Sequence, residues 1–106
     1  MSQWTQVSTL NTLADGAYER FEFEDVDILI FRENDNVYAI EDLCTHDSAE
    51  LYGGLYINGT IECPRHGARF CVKTGLALSA PAYGQVSTFP IRISQDGVIE
   101  LQLDGA

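Results

Sequence analysis

Residues 44–71 read CTHDSAELYGGLYINGTIECPRHGARFC, and the two ends of this stretch organise the rest of the chain. Cys44-Thr45-His46 stands at its start, and after sixteen intervening residues comes Cys63-Pro64-Arg65-His66, followed at once by Gly67. The pattern C-x-H-x16-C-x-x-H takes both histidines of the chain and two of its three cysteines. In extended backbone, residues i and i+2 project to the same side, so Cys44 and His46 can face one centre. Pro64 presets the first central position of a tight turn that can bring Cys63 and His66 round together. Gly67 then permits a backbone conformation that a Cβ would resist. Each half is a two-toothed clamp at a loop tip, suited to a metal or a metal cluster. Between the clamps, Leu55-Tyr56-Ile57 and Thr60-Ile61-Glu62 flank Asn58-Gly59, the strongest short hairpin signal in the sequence. The spacer is therefore a strand out, a two-residue turn and a strand back.

Two thiolates and two imidazoles would suit tetrahedral zinc, but zinc fingers usually group their cysteines in one half and their histidines in the other. Here each half carries one of each. On this motif the chain resembles the Rieske-type [2Fe–2S] family, and the likeness extends to His66-Gly67-Ala68-Arg69-Phe70, to Thr74-Gly75 and to Pro81 in a third, proline-bearing loop. The resemblance implies Cys44 and Cys63 on an inner iron, and His46 and His66 on an outer, solvent-facing iron. It implies no disulfide between the ligand loops, because the positions that carry one in high-potential members are Ala49 and Arg65 here. Those members also place hydroxyl donors on sulfur where this chain has Ala68 and Phe70. Such hydrogen bonds stabilise the reduced cluster, so their loss implies a potential near the low end of the Rieske range.

The strands flanking this stretch follow from period-two alternation of aromatic and β-branched residues. Trp4 to Val7 reads as an edge strand and 11–16 as a loop. From Ala17 one face carries Phe21, Phe23, Val26, Ile28 and Ile30, with Leu29 and Phe31 partly filling the other. Turns are expected at Glu24-Asp25 and at 33–36, with a return strand over Val37 to Ile40. After the second clamp come a short strand over 69–72, a strand near Val86 to Phe89, and a hairpin of 91–94 and 98–103 about Asp96-Gly97. One short helical turn could form over 47–51. The expectation is one all-β domain, 1–106, of stacked antiparallel sheets with a Rieske iron-sulfur fold. A small cluster-binding subdomain at about 43–83 would be inserted in a β base.

Sixteen acidic against six basic residues give a formal charge of −10. That excludes the basic footprint of a nucleic-acid binder and disfavours anionic membranes. It fits steering toward a basic patch on a protein partner, or solubility alone. No apolar run approaches the roughly 18 residues of a membrane span, and the N-terminus shows no secretory signal. Two cysteines used as ligands leave no pair for a disulfide, so a cytoplasmic location is expected. Cys71 reads as a small buried hydrophobe, with a redox-sensing thiol as the alternative. Arg65, Arg69 and Lys73 crowd the second clamp, while Glu41, Asp42, Asp47 and Glu50 crowd the first. They would either pair loop to loop or help dock a partner. Tyr83, beside Pro81, could shield the cluster. Trp4, Phe21, Phe23, Phe31 and Phe89 read as packing residues.

Once the cluster is built, no histidine remains for a mononuclear oxygenase iron, and no nucleophile triad or phosphate loop is present. The chain is thus expected to be a one-electron carrier and not an enzyme. The resemblance implies a flavin-dependent reductase as donor and a terminal oxygenase as acceptor. The alternatives are an accessory subunit of another redox enzyme such as nitrite reductase, a structural zinc module, or a cluster-bearing sensor.

Overall fold

The computed structural model describes residues 4–24, 26–44, 50–65, 67–79 and 84–102. His46, Ala49, His66, Pro81, Tyr83 and most of the turn expected over 47–51 lie outside these. Among the described residues there are nine strands and no helix, arranged as three antiparallel sheets of three. The first joins β1 (Trp4–Thr9), β9 (Val98–Gln102) and β8 (Ile91–Ile93), with β1 at an edge as its weak alternation predicts. The second joins β2 (Tyr18–Phe23), β3 (Val26–Glu33) and β4 (Asn36–Glu41). The third joins β5 (Leu55–Ile57), β6 (Thr60–Glu62) and β7 (Arg69–Cys71), all from one contiguous stretch between β4 and β8.

β3 explains how the layers stack. Its side chains alternate between two cores, and Ile28, Leu29, Ile30 and Phe31 are all fully buried. Ile28 and Ile30 pack with Leu13, Ala39, Ile99 and Leu101, toward the β1-β9-β8 sheet. Leu29 and Phe31 point the other way, to Ile61, Phe70 and Val72 of the β5-β6-β7 layer. The second face is therefore as closed as the first, not partly filled. A strand buried on both sides reads as a near-continuous apolar run, which is what 28–31 is.

In the third sheet, Tyr56, Ile61 and Phe70 stand in register across all three strands and all face the core. The hairpin between β5 and β6 forms where Asn58-Gly59 predicts it. Both residues have positive φ, 53° and 78°, the signature of a type I′ turn whose twist matches the strands. Gly54, just before β5, is required for a different reason: a Cβ there would run into the Glu62 carbonyl oxygen. The strand expected near 86–89 is not one. It touches β4 through a single bridge, Ile40 to Thr88, and two backbone bonds, Glu41 N–H to Ser87 O and Phe89 N–H to Ala39 O. Pro90, which has no N–H to donate, follows immediately and ends the pairing.

Candidate metal centre

Cys44 follows the end of β4, and Cys63 follows β6. Both side chains are buried, at 0% and 1% exposure, and both belong to the core that holds Phe31, Leu51, Ile61 and Phe70. The two clamps therefore sink their sulfurs into the same apolar layer from separate loops. No disulfide joins any of the three cysteines. Buried thiols held on two loops, in an apolar and water-poor space, fit the sulfur-bound half of an iron-sulfur cluster, whose ligands are thiolates. The two histidines lie outside the described residues, so the imidazole half of the motif stays an expectation from sequence.

The second clamp is a closed loop. Cys63 donates its N–H to Ala68 O at 2.7 Å, and Gly67 donates to Cys63 O at 3.1 Å. Gly67 adopts φ 77°, the conformation its position in the motif predicts. Ala68 and Phe70 are both fully buried and, as expected, offer no side-chain donor.

The first clamp is fastened at its base by residues the motif does not contain. Asp42 Oδ1 accepts N–H bonds from Leu51 at 2.6 Å and Tyr52 at 2.9 Å. The Tyr18 hydroxyl accepts from Gly53 N–H at 2.9 Å and donates to Gly54 O at 2.7 Å. Arg20 reaches Asp42 at 3.7 Å and Glu50 at 3.3 Å. Burial pushes the Asp42 carboxyl above its usual range, while the two N–H groups and Arg20 pull against that shift. One sequence signal marked Asp42: Ile40 is an inward position, and two residues on, in the same phase, stands a charged residue. Tyr18 and Arg20 gave no such sign.

Of the basic residues around the second clamp, Arg69 departs from the loop-to-loop expectation. Arg69 faces Glu62 across the same sheet at 3.4 Å, an exposed pair of small energetic weight. Arg65 is exposed beside Cys63. Of the aromatic residues, Phe31 is buried, Phe21 and Phe89 lean on the far core, and Trp4 lies under the Arg92 guanidinium at 4.1 Å.

Cys71 departs from the buried-hydrophobe expectation, being only partly buried. Burial pushes its thiol up. The Thr74 hydroxyl, the N–H groups of Thr74 and Lys73, and the Lys73 charge together outweigh that and hold it below the ordinary thiol value. A thiol with a depressed value in the folded state adds stability only above its unfolded value, and loses that contribution as pH falls through the folded one. Reactivity of the thiol moves to lower pH. Iodoacetamide is expected to label Cys71 of the native protein faster than an ordinary thiol at pH 7.5. Thr74→Val should slow that labelling, as followed by mass spectrometry.

The family model described as Rieske [2Fe-2S] domain matches residues 3–90. The chain is 38% identical to the 3-phenylpropionate/cinnamic acid dioxygenase ferredoxin subunit of Photorhabdus laumondii over 94 residues, 88% of each protein. It superposes on the ferredoxin of carbazole 1,9a-dioxygenase from Nocardioides aromaticivorans with a TM-score of 0.88 and 31% identity, covering 94% of this chain and 97% of that one. It also superposes, with a TM-score of 0.87 and 30% identity over 93% of this chain and 92% of that one, on a chain from the complex of reduced oxygenase and oxidized ferredoxin in carbazole 1,9a-dioxygenase. These likenesses remove the zinc alternative. A fold of three antiparallel sheets, two thiols buried in one core and a match over most of the sequence lead to one conclusion: the chain belongs to the Rieske [2Fe-2S] family, carries one [2Fe-2S] cluster and works as a one-electron carrier.

Proposed function

We propose that this protein is the cytoplasmic ferredoxin of a ring-hydroxylating oxygenase system, taking single electrons from a flavin-dependent reductase and passing them to a terminal oxygenase. In this reading Cys44 and Cys63 bind the inner iron, His46 and His66 bind the outer one, and residues of about 43–83 act as the cluster-binding subdomain. The observation that carries it is the extent of the likeness. The match to dioxygenase ferredoxins runs through nearly the whole of both chains. One relative was seen in complex with its oxygenase. Among the described residues, no helix is long and apolar enough to cross a membrane, in keeping with partners met in solution.

When bound, the cluster supplies reversible one-electron chemistry. The chain's own contribution is to bury the two thiols, exclude water from that side and withhold hydrogen bonds from sulfur at Ala68 and Phe70. Protein-film voltammetry should therefore return a midpoint potential on the order of −150 mV, near the low end of the Rieske range. Low-temperature EPR of the reduced protein should show an average g below the free-electron value. A midpoint above zero would overturn the low-potential assignment. Leaving this protein out of a mixture of a dioxygenase reductase and its terminal oxygenase should stop product formation. An unchanged rate without it would overturn the carrier role in that pathway.

A further inference from the structure

The first ligand loop leaves β4 at Glu41 and returns at Leu51, and the Asp42 carboxylate bonds its two ends together. The Asp42 side chain has no solvent exposure. Its own N–H donates to Asp27 O at 2.8 Å, which fixes it to β3. Oδ1 takes both loop N–H groups, from Leu51 and Tyr52. Oδ2 has no hydrogen-bond partner among the described residues and lies 3.7 Å from Arg20 Nη1. A buried carboxylate with one oxygen unbonded is costly, and an asparagine could make the same clamp with no charge to desolvate. The charge itself therefore calls for a role.

We propose that Asp42 is a positioning residue for the cluster, clamping the loop that carries Cys44 and placing a buried carboxylate two residues before that thiol to keep the reduction potential low. This rests on Cys44 being a ligand. Asp42 lies two residues before Cys44, within about 7 Å along the chain. Leu51, which it binds, packs in the same core as Cys44 and Cys63. In such a space charges are screened far less than at the surface, and a negative one disfavours the incoming electron. Arg20 offsets it only in part, because its guanidinium is also shared with Glu50 at 3.3 Å and Glu22 at 3.7 Å.

Three variants test this in the cluster-loaded protein. Asp42→Asn keeps an oxygen for both N–H groups and removes the charge, so the visible spectrum should be retained and the midpoint potential should shift upward. Arg20→Gln, at a partly exposed position, removes the offsetting cation and should shift the potential downward. Asp42→Ala removes the clamp as well, and its colour should bleach several-fold faster under a chelator than that of Asp42→Asn. Unchanged potentials in both charge variants, or bleaching of the alanine variant no faster than the asparagine one, would overturn the proposal. The ligand reading fails separately, if Cys44→Ala retains its cluster.

Discussion

Cys63→Ala protein is expected to be colourless, with no Rieske EPR signal and iron near background, while still folding into β-sheet. The Cys63 sulfur is buried at the foot of β6, in a layer that admits little water. On the proposed ligand set, removing it would deprive an iron of a thiolate where no solvent ligand can readily take its place. The substitution itself is mild for the fold: one small apolar group replaces another, and the Cys63 N–H bond to Ala68 and the Gly67 bond to the Cys63 carbonyl are backbone contacts that persist. Cys44→Ala should behave alike for the same reason. Cys71→Ala provides the contrast, since its partly buried thiol lies at the end of β7 among Lys73 and Thr74, and its protein should stay brown. Absorbance, iron analysis and circular dichroism on the three variants read out the result. A brown Cys63→Ala protein with a normal EPR signal would remove Cys63 from the ligand set.

The largest effect on stability is expected from Phe31→Ala. Phe31 is fully buried and links the β2-β3-β4 sheet to the cluster layer. Its ring stacks on Tyr18 with centroids 5.1 Å apart and tilts against Tyr56 at 4.8 Å. Truncating a buried phenylalanine typically costs about 3–5 kcal/mol, from lost transfer energy and the cavity left behind. That is a large fraction of the roughly 5–15 kcal/mol by which a domain is stable. The damage should reach the metal centre as well, because Tyr18 is the residue that holds Gly53 and Gly54 at the exit of the first ligand loop. Denaturant melts of the apo- and cluster-loaded forms should both show the loss. A shift under 1 kcal/mol would mean that the layer collapses around the gap.

Much of this was legible in the sequence because it is locally encoded. Asn58-Gly59 specifies its own turn, and β2, β3 and β4 follow from alternation and turn residues. The spacing of Cys44 and Cys63 pointed to two loops, and both thiols are buried in one core. What stayed hidden depends on partners distant along the chain. Tyr18 reaches Gly54 across 36 residues, and Arg20 meets Glu50 across 30, so no local pattern could announce either contact. The thiol chemistry of Cys71 ranked second to a buried-hydrophobe reading because a cysteine on a strand resembles any small apolar residue until its neighbours at Lys73 and Thr74 turn back on it. At 86–89 the composition suited a strand, but the pairing was cut short by Pro90.

The two-sided burial of β3 has a consequence for how such a protein can change. Most strands keep one face in solvent, where substitutions drift freely. From Ile28 to Phe31 there is no such face, so each replacement there disturbs one packed layer or the other. Sequence divergence is thereby directed to the rims and the loop ends. A carrier built this way can be refitted to new redox partners at its tips while its interior lineage stays nearly still.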